Sequence, residues 1–317
     1  MSDAKLRTLF LGSPQFAVPS LEALCAAQNL DVVLVMTQPD RPAGRGRRMC
    51  ATAVKETALL RGIPVLEPLS IKEADFKTAI EPYLPLDVAA MAAYGLYIPR
   101  WLRELPRLGM INAHPSLLPK YRGAAPVPWA LVNGESVTGL TIQTVGEKMD
   151  AGDILWQKPY NIAFEDNAST LLNKMSHLAA EAFIETINSL AAGTAKPQPQ
   201  NDADATFAPK IKPEDGLIDW NKSAAQIRNL VRGMIPFPCA WTTRGGAKIK
   251  IYEAEAVVGS MRGEPGRVLE FGRRGITVAC GEGALRIICL QPENKKPMAA
   301  CDFINGCRLE AAEKWGE

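Results

Sequence analysis

LRTLFLGSPQFAVPSLEALCAAQNLDVVLVM, residues 6–36, decides the fold. Leu6 to Leu11 reads as a buried strand that stops at Gly12, Ser13 and Pro14. Helical spacing follows from Val18 to Ala27, and a second apolar run occupies Asp31 to Met36. Strand, turn, helix, strand opens an α/β fold with a Rossmann-like parallel sheet. Gly12, Ser13 and Pro14 do not make a GxGxxG fingerprint, which counts against a nucleotide-dependent dehydrogenase. Further along, the Pro- and Arg-rich stretch Gln38 to Arg48 (QPDRPAGRGRR) is predicted to hold no regular structure. Thr52 to Leu60 regains helical spacing. Ile63 to Leu66, Asp87 to Ala92, Gly109 to Ala113, Gly139 to Val145 and Asp153 to Ile162 read as strands. Ser169 to Leu190 is a long amphipathic helix with Ser169 as its expected N-cap.

The texture then changes. Ala191 to Pro209 (AAGTAKPQPQNDADATFAP) is polar and aperiodic, as a linker is. Beyond it, short apolar runs alternate with Gly-rich turns, predicting a small OB-like β-barrel entered through a helix at Ser223 to Arg232. The expected organisation is therefore a catalytic domain over residues 1–190, a linker over 191–209 and a second domain over 210–317. A length of 317 residues with 47% hydrophobic content gives each part enough apolar material for a core, and excludes a disordered chain. Charge is partitioned. The first 200 residues balance, whereas Lys222 to Lys296 holds 13 Lys or Arg against 6 Glu and no Asp. That excess is either an ordinary solvated surface or a surface for a polyanion such as nucleic acid.

Seven cysteines without a CxxC pair fit reduced thiols better than disulfides or a zinc site. No apolar run reaches the roughly 18 residues of a membrane span, and the start MSDAKLRTLF does not read as a secretory signal. A cytoplasmic, monomeric protein without a metal centre is expected. Only two histidines are present, His114 and His177. His177 lies in the long helix among Met175, Leu178 and Ala179, a structural or surface position.

His114 is different. It lies in INAHPSLLPKYRGAAP, residues 111–126, two positions after Asn112 at the end of a predicted strand, so both side chains point to one side. Ligands of open α/β sheets gather at such strand ends. Asp150, in the loop Gly146 to Gly152, is a second polar focus. Taken singly, the histidine can be a satisfied structural residue and the aspartate a turn former. Together they can supply an oxyanion donor, a general base and an orienting carboxylate. No GxSxG or GxxxxGK motif occurs, so acyl transfer without a covalent enzyme intermediate fits the inventory.

At these residues the sequence resembles the formyltransferases that use 10-formyltetrahydrofolate. Their hallmark, Asn-x-His-Pro/Gly-Ser-Leu-Leu-Pro with a downstream Asp, is matched by Asn112, His114, Ser116 to Pro119, and Asp150. Further matching segments are TQPDRPAGRG (37–46), AYGLYIP (93–99), YRGAAP (121–126), DAGD (150–153) and LQPENKK (290–296). The RPAGRG loop and the second domain align it with the branch that formylates initiator methionyl-tRNA, and separate it from enzymes that formylate glycinamide ribonucleotide. The resemblance implies that Asn112 and protonated His114 stabilise the oxyanion while Asp150 holds the imidazole and relays the proton. It also implies a folate site built from Ala93 to Ile98, Ser116, Leu117, Leu118 and Pro119, and Gly146 to Gly152. Arg41, Arg45 and Arg47 would meet the acceptor stem of the tRNA, and the basic second domain its backbone. Formylation of another amine, such as that of a sugar nucleotide, is the competing expectation.

Overall fold

The computed structural model describes residues 4–43, 48–71, 73–257, 263–307, 309–310 and 313–317. Residues 6–36 form strand β1 (Leu6–Gly12), helix α1 (Val18–Ala26) and strand β2 (Leu30–Met36), with the two strands parallel. The last five residues of β1 are all buried, as a central strand covered on both faces must be. Along the chain follow β3 (Arg41–Ala43), β4 (Arg48–Cys50), α2 (Ala53–Leu60), β5 (Val65–Leu66), α3 (Glu73–Ile80), β6 (Val88–Ala92) and α4 (Arg100–Arg103). Then come β7 (Met110–His114), α5 (Pro126–Val132), β8 (Val137–Thr144), β9 (Ile154–Asn161) and α6 (Ala168–Ala191).

Seven of these strands make one sheet in the order β5-β2-β1-β6-β7-β8-β9. It is parallel as far as β7 and antiparallel from there to β9. The order reverses between β1 and β6, which opens a crevice at the carboxyl ends of the strands. His114, the last residue of β7, lies one strand further along that edge. One apolar cluster, including Leu9, Leu11, Leu34, Met36, Tyr94 and Leu102, packs this unit.

Two local expectations need correction. The stretch Gln38 to Arg48 is not wholly irregular, because β3 and β4 pair antiparallel with Arg41 opposite Cys50 and Pro42 opposite Met49. A two-stranded pair has free outer edges, so Pro42 can sit in it without breaking a ladder. Helix α6 is capped by Asn167 and not Ser169. The Asn167 side chain accepts from the Thr170 N–H at 3.0 Å, and the Thr170 hydroxyl accepts from the Asn167 N–H in return.

The chain divides into two units. The first takes in the chain up to Gly123 together with Val137–Asn161 and Leu172–Phe207; the second takes in Ala124–Ser136, Ile162–Leu171 and Ala208–Glu317. In the second, helix α7 (Ala224–Gly233) starts at a capping box made by Ser223 and Gln226. The strands β10 (Ala240–Arg244), β11 (Ala247–Val257), β12 (Val268–Gly272), β13 (Gly275–Ala279), β14 (Ala284–Pro292) and β15 (Met298–Ala299) follow, and α8 (Ala300–Gly306) comes after them. They form an antiparallel sheet ordered β10-β11-β14-β13-β12, with β15 on β14. Ile227 and Val231 of α7 enter the same core as Ile249, Ile251, Leu285 and Ile287, and α5 packs against α7. The segment ending at Glu317 closes this core. Trp315 is 1% exposed and Glu313 pairs with Arg244.

Candidate active site

Strand β7 sets the site. Met110, Asn112 and His114 alternate onto one face, and the other face carries Ile111 and Ala113. Asn112 is 9% exposed, and its side-chain amide has no hydrogen-bond partner among the described residues. The amide is not among the fully buried atoms that lack a partner, so it opens toward solvent at the strand end and is free to donate to a bound molecule.

His114 is 4% exposed and lies between two partners. Its Nε2 is 2.8 Å from the Tyr121 carbonyl oxygen. A carbonyl only accepts, so Nε2 carries the hydrogen, and in the neutral ring Nδ1 keeps its lone pair. Nδ1 faces Asp150 Oδ2 at 3.6 Å. A proton arriving on Nδ1 therefore creates a cation beside a carboxylate in a nearly dry setting, where such attraction is strong.

Asp150 is itself fixed. Its Oδ2 accepts from the Gly123 N–H at 2.9 Å and its Oδ1 from the Gln143 amide at 3.0 Å. The backbone at Asp150 has φ +53°, a left-handed conformation that Asp and Asn tolerate better than most side chains. Gly152 completes the turn by lying so close to β8 that a Cβ there would sit 1.8 Å from the Thr144 carbonyl oxygen. The structure thus brings Asn112, His114 and Asp150 to one place, with Gln143 paired opposite Asn112 across β7 and β8.

The turn Ser116 to Pro119 follows directly, and its polar groups are spent on protein. The Ser116 hydroxyl donates to the Lys120 carbonyl at 2.7 Å. Thr141 Oγ1 donates to the Ser116 carbonyl and accepts from the Leu118 N–H, while Gln157 donates to the Leu118 carbonyl. Ser116 and Leu118 are buried; Leu117 and Pro119 are half-buried. In the segment Ala93 to Ile98, Tyr94 and Ile98 are buried and Tyr97 is exposed. The Gln38 amide donates to the Tyr94 carbonyl at 2.8 Å.

A cavity of about 410 Å³ opens among Arg100, Arg103, Met110, Val145, Glu147 and Leu155. Met110 begins the strand that His114 ends, and Glu147 belongs to the Asp150 loop, but Asn112, His114 and Asp150 do not line this cavity. The Arg103 Nε is buried without a partner. Of the arginines read as RNA contacts, Arg41 is exposed in β3, and Arg45 and Arg47 lie outside the described residues.

Sequence reasoning missed Gln143, Thr141, Arg122 and Gln200. The Arg122 guanidinium, 5% exposed as a residue, donates to Gln200 Oε1 and to Asp202. The Gln200 amide reaches back to the Asp150 loop. Gln143 is masked in VTGLTIQT, a strand buried on both faces with no alternation to single it out.

An unpaired amide, a histidine fixed in one tautomer and a carboxylate without freedom to turn can together stabilise charge that develops on an acyl oxygen. The chain belongs to the formyl transferase family: the model of the formyl transferase matches residues 6–187, and that of the formyl transferase C-terminal domain matches residues 210–308. A methionyl-tRNA formyltransferase of Geobacter metallireducens is 43% identical over 313 residues, covering 99% of each chain. HypX of Aquifex aeolicus, solved in complex with tetrahydrofolic acid, has the same fold with a TM-score of 0.64 at 19% identity; the match covers 98% of this chain and 49% of that one. An N-formyltransferase of Helicobacter canadensis, solved with folinic acid and dTDP-3-aminofucose, matches with a TM-score of 0.67 at 18% identity, over 90% of this chain and 99% of that one.

Proposed function

We propose that this chain transfers the formyl group of 10-formyltetrahydrofolate to the α-amino group of methionyl-initiator tRNA. The observation that carries the chemistry is the unpaired Asn112 amide on the same strand face as His114, whose Nδ1 faces Asp150 at 3.6 Å. The lone pair of the methionyl amine attacks the formyl carbon, and the carbonyl π electrons move onto the oxygen. Asn112 donates to that oxyanion, and the positive charge of His114 protonated on Nδ1 stabilises it from the same strand face. As the intermediate collapses, the bond from carbon to N10 breaks and N10 takes up a proton while the amine loses one. Asp150 holds the imidazole and passes the proton along.

The folate is assigned to the segments Ala93 to Ile98, Ser116 to Pro119 and Gly146 to Gly152. Ser116 and Leu118 build the turn, and Leu117 and Pro119 are its half-buried side chains. Arg41, Arg45 and Arg47 are assigned to the tRNA acceptor stem. Residues 1–190 act as the catalytic domain and 210–317 as the tRNA-binding domain, joined by 191–209. Exposed Lys210, Arg273, Arg274, Lys295 and Lys296 support that reading of the second domain. Arg228 and Arg232 support it less, because the Arg228 guanidinium stacks on Phe164 at 3.6 Å and Arg232 bonds Asn229. No helix among the described residues is long and apolar enough to cross a membrane.

The test is an incubation with labelled 10-formyltetrahydrofolate and charged initiator tRNA, run beside uncharged tRNA, charged elongator tRNA and a sugar-nucleotide amine. Labelled formyl-methionine on the initiator alone is expected. Label appearing only on the sugar amine overturns the acceptor assignment. Arg45→Ala should weaken turnover on tRNA and leave folate affinity unchanged; equal damage to both would count against its role.

A further inference from the structure

The segment that reads as a linker in sequence is hydrogen-bonded across the catalytic candidates. Gln198 exchanges both backbone hydrogen bonds with Ile154, and the Thr206 carbonyl accepts from the Arg122 N–H at 2.8 Å. Between these anchors lies Gln200. Its Nε2 is 2.7 Å from the Gly152 carbonyl oxygen, 3.0 Å from that of Asp150 and 3.2 Å from Gln143 Oε1. Its Oε1 accepts from Arg122 Nε at 3.1 Å and Nη2 at 2.9 Å.

Arg122 is a telling partner. The residue before it, Tyr121, supplies the carbonyl that fixes the His114 tautomer, and the residue after it, Gly123, donates to Asp150 Oδ2. Gln143, the third acceptor of Gln200, donates to Asp150 Oδ1. Gln200 therefore closes a ring that fastens the His114 carbonyl partner, both carboxylate oxygens of Asp150 and the left-handed turn at Asp150 to one another. A glutamine suits this position because it presents two donors and a two-fold acceptor at the end of three side-chain carbons. A carboxylate there would set oxygen against two carbonyls, and a shorter amide would not span the gap.

We propose that Gln200 is a positioning residue for formyl transfer, holding Asp150 at its working distance from His114 while itself touching no reacting atom. The proposal rests on the assignment of Asp150 to the chemistry. Misplacing a catalytic group by about 1 Å costs on the order of 100-fold in rate, so the effect should fall on turnover.

The experiment compares Gln200→Met, Gln200→Glu, Asp150→Asn and the double variant Gln200→Met/Asp150→Asn in the full chain, measuring kcat, KM for both substrates and the thermal midpoint. Gln200→Met keeps the volume without the hydrogen bonds. It should lower kcat about 10- to 100-fold with each KM within about twofold. Gln200→Glu retains the contact with Arg122 and loses the donors; it should be equally slow, and remains informative if the methionine variant does not fold. In the Asp150→Asn background, adding Gln200→Met should cost no more than about twofold, because a residue acting through Asp150 has nothing left to position. Wild-type kcat in Gln200→Glu, a loss confined to the KM for tRNA, or multiplicative losses in the double variant would overturn the proposal. Wild-type kcat in Asp150→Asn would instead remove the catalytic reading of Asp150 itself.

Discussion

The two units bury different things. In the first, Asn112, His114, Ser116, Arg122, Thr141 and Gln143 are all buried, and they converge on the strand ends of β7 and β8. In the second, among the described residues, the buried polar side chains are Asp166, Thr242 and Thr277. Its remaining core is apolar, from Ile218 and Trp220 to Leu290 and Trp315. Burying polar groups costs free energy unless they are paired, so a unit that gathers six of them at one edge carries a cost there that the apolar core of the other does not. The other unit has a dry core and turns that display Arg273, Arg274, Lys295 and Lys296, the cations that the proposed contact with RNA phosphates would use. Interior polarity, more than overall composition, is what distinguishes the two units.

The sharpest break of this comparison is made in the dry core. Trp315→Ala should destabilise the second unit by about 3–5 kcal/mol, the usual cost of removing a fully buried large aromatic. Amide exchange in β13 and β14 should accelerate while that in β1 and β6 stays slow. Equal acceleration in both units would mean that they unfold as one body, and that the contrast in their interiors has no energetic counterpart. In the first unit the corresponding change is Asn112→Ala, which on the proposed mechanism should lower kcat about 10²- to 10³-fold with little change in KM or in stability. A variant that is destabilised yet turns over normally would turn Asn112 into a packing residue.

The contrast was only partly legible in the sequence. The parallel sheet could be read because its central strands are continuous apolar runs, LRTLFL and DVVLVM, bounded by turn residues. Asn112 and His114 could be read because their i, i+2 spacing falls at a strand end. Their supports could not. Gln200 sits in PQPQNDAD, whose polar, Pro-containing composition is that of any linker, and nothing local tells that its amide turns inward. Arg122 was visible as part of YRGAAP, but its burial depends on Gln200 and Asp202, some 80 positions away in sequence. The split of the chain was equally non-local. Ala124–Ser136 joins the second unit because α5 packs against α7, a pairing that no property of either helix alone announces.

Surface charge gives a smaller and more graded test. Raising salt from 50 to 200 mM should weaken tRNA affinity by more than about tenfold, because phosphate contacts release counterions, and should change folate affinity far less. Charge-removing substitutions at Arg273, Arg274, Lys295 and Lys296 should flatten that salt slope without altering kcat at saturating tRNA. A salt slope that persists in the quadruple variant would place the RNA on other cations, with Lys248 and Lys250 the next to change. Lys248 is the more distinctive of these, since its ammonium lies 3.9 Å above the Trp241 ring and burial pulls its pKa down.

The smallest effect concerns the ion pair that closes the second unit. The Arg244 guanidinium hydrogen-bonds Glu313 and holds that carboxyl below the ordinary glutamate range, against a smaller opposing effect of burial. Arg244 is raised in turn by the same contact. A carboxyl depressed in the folded state contributes stability that is fully present above its unfolded pKa, about 4.3, and is lost as the pH falls through the lower folded value. Amide protection in β10 and in β12, which Glu313 joins through the Val268 N–H, should therefore decline below about pH 4.3. The loss should be on the order of 1 kcal/mol, since solvent screens a pair that is only partly buried. Glu313→Gln should be less stable than the parent at neutral pH and should converge with it in acid. If the two curves run parallel across that range, the pair carries no net stability, and the second unit is closed by Trp315 and its apolar neighbours alone.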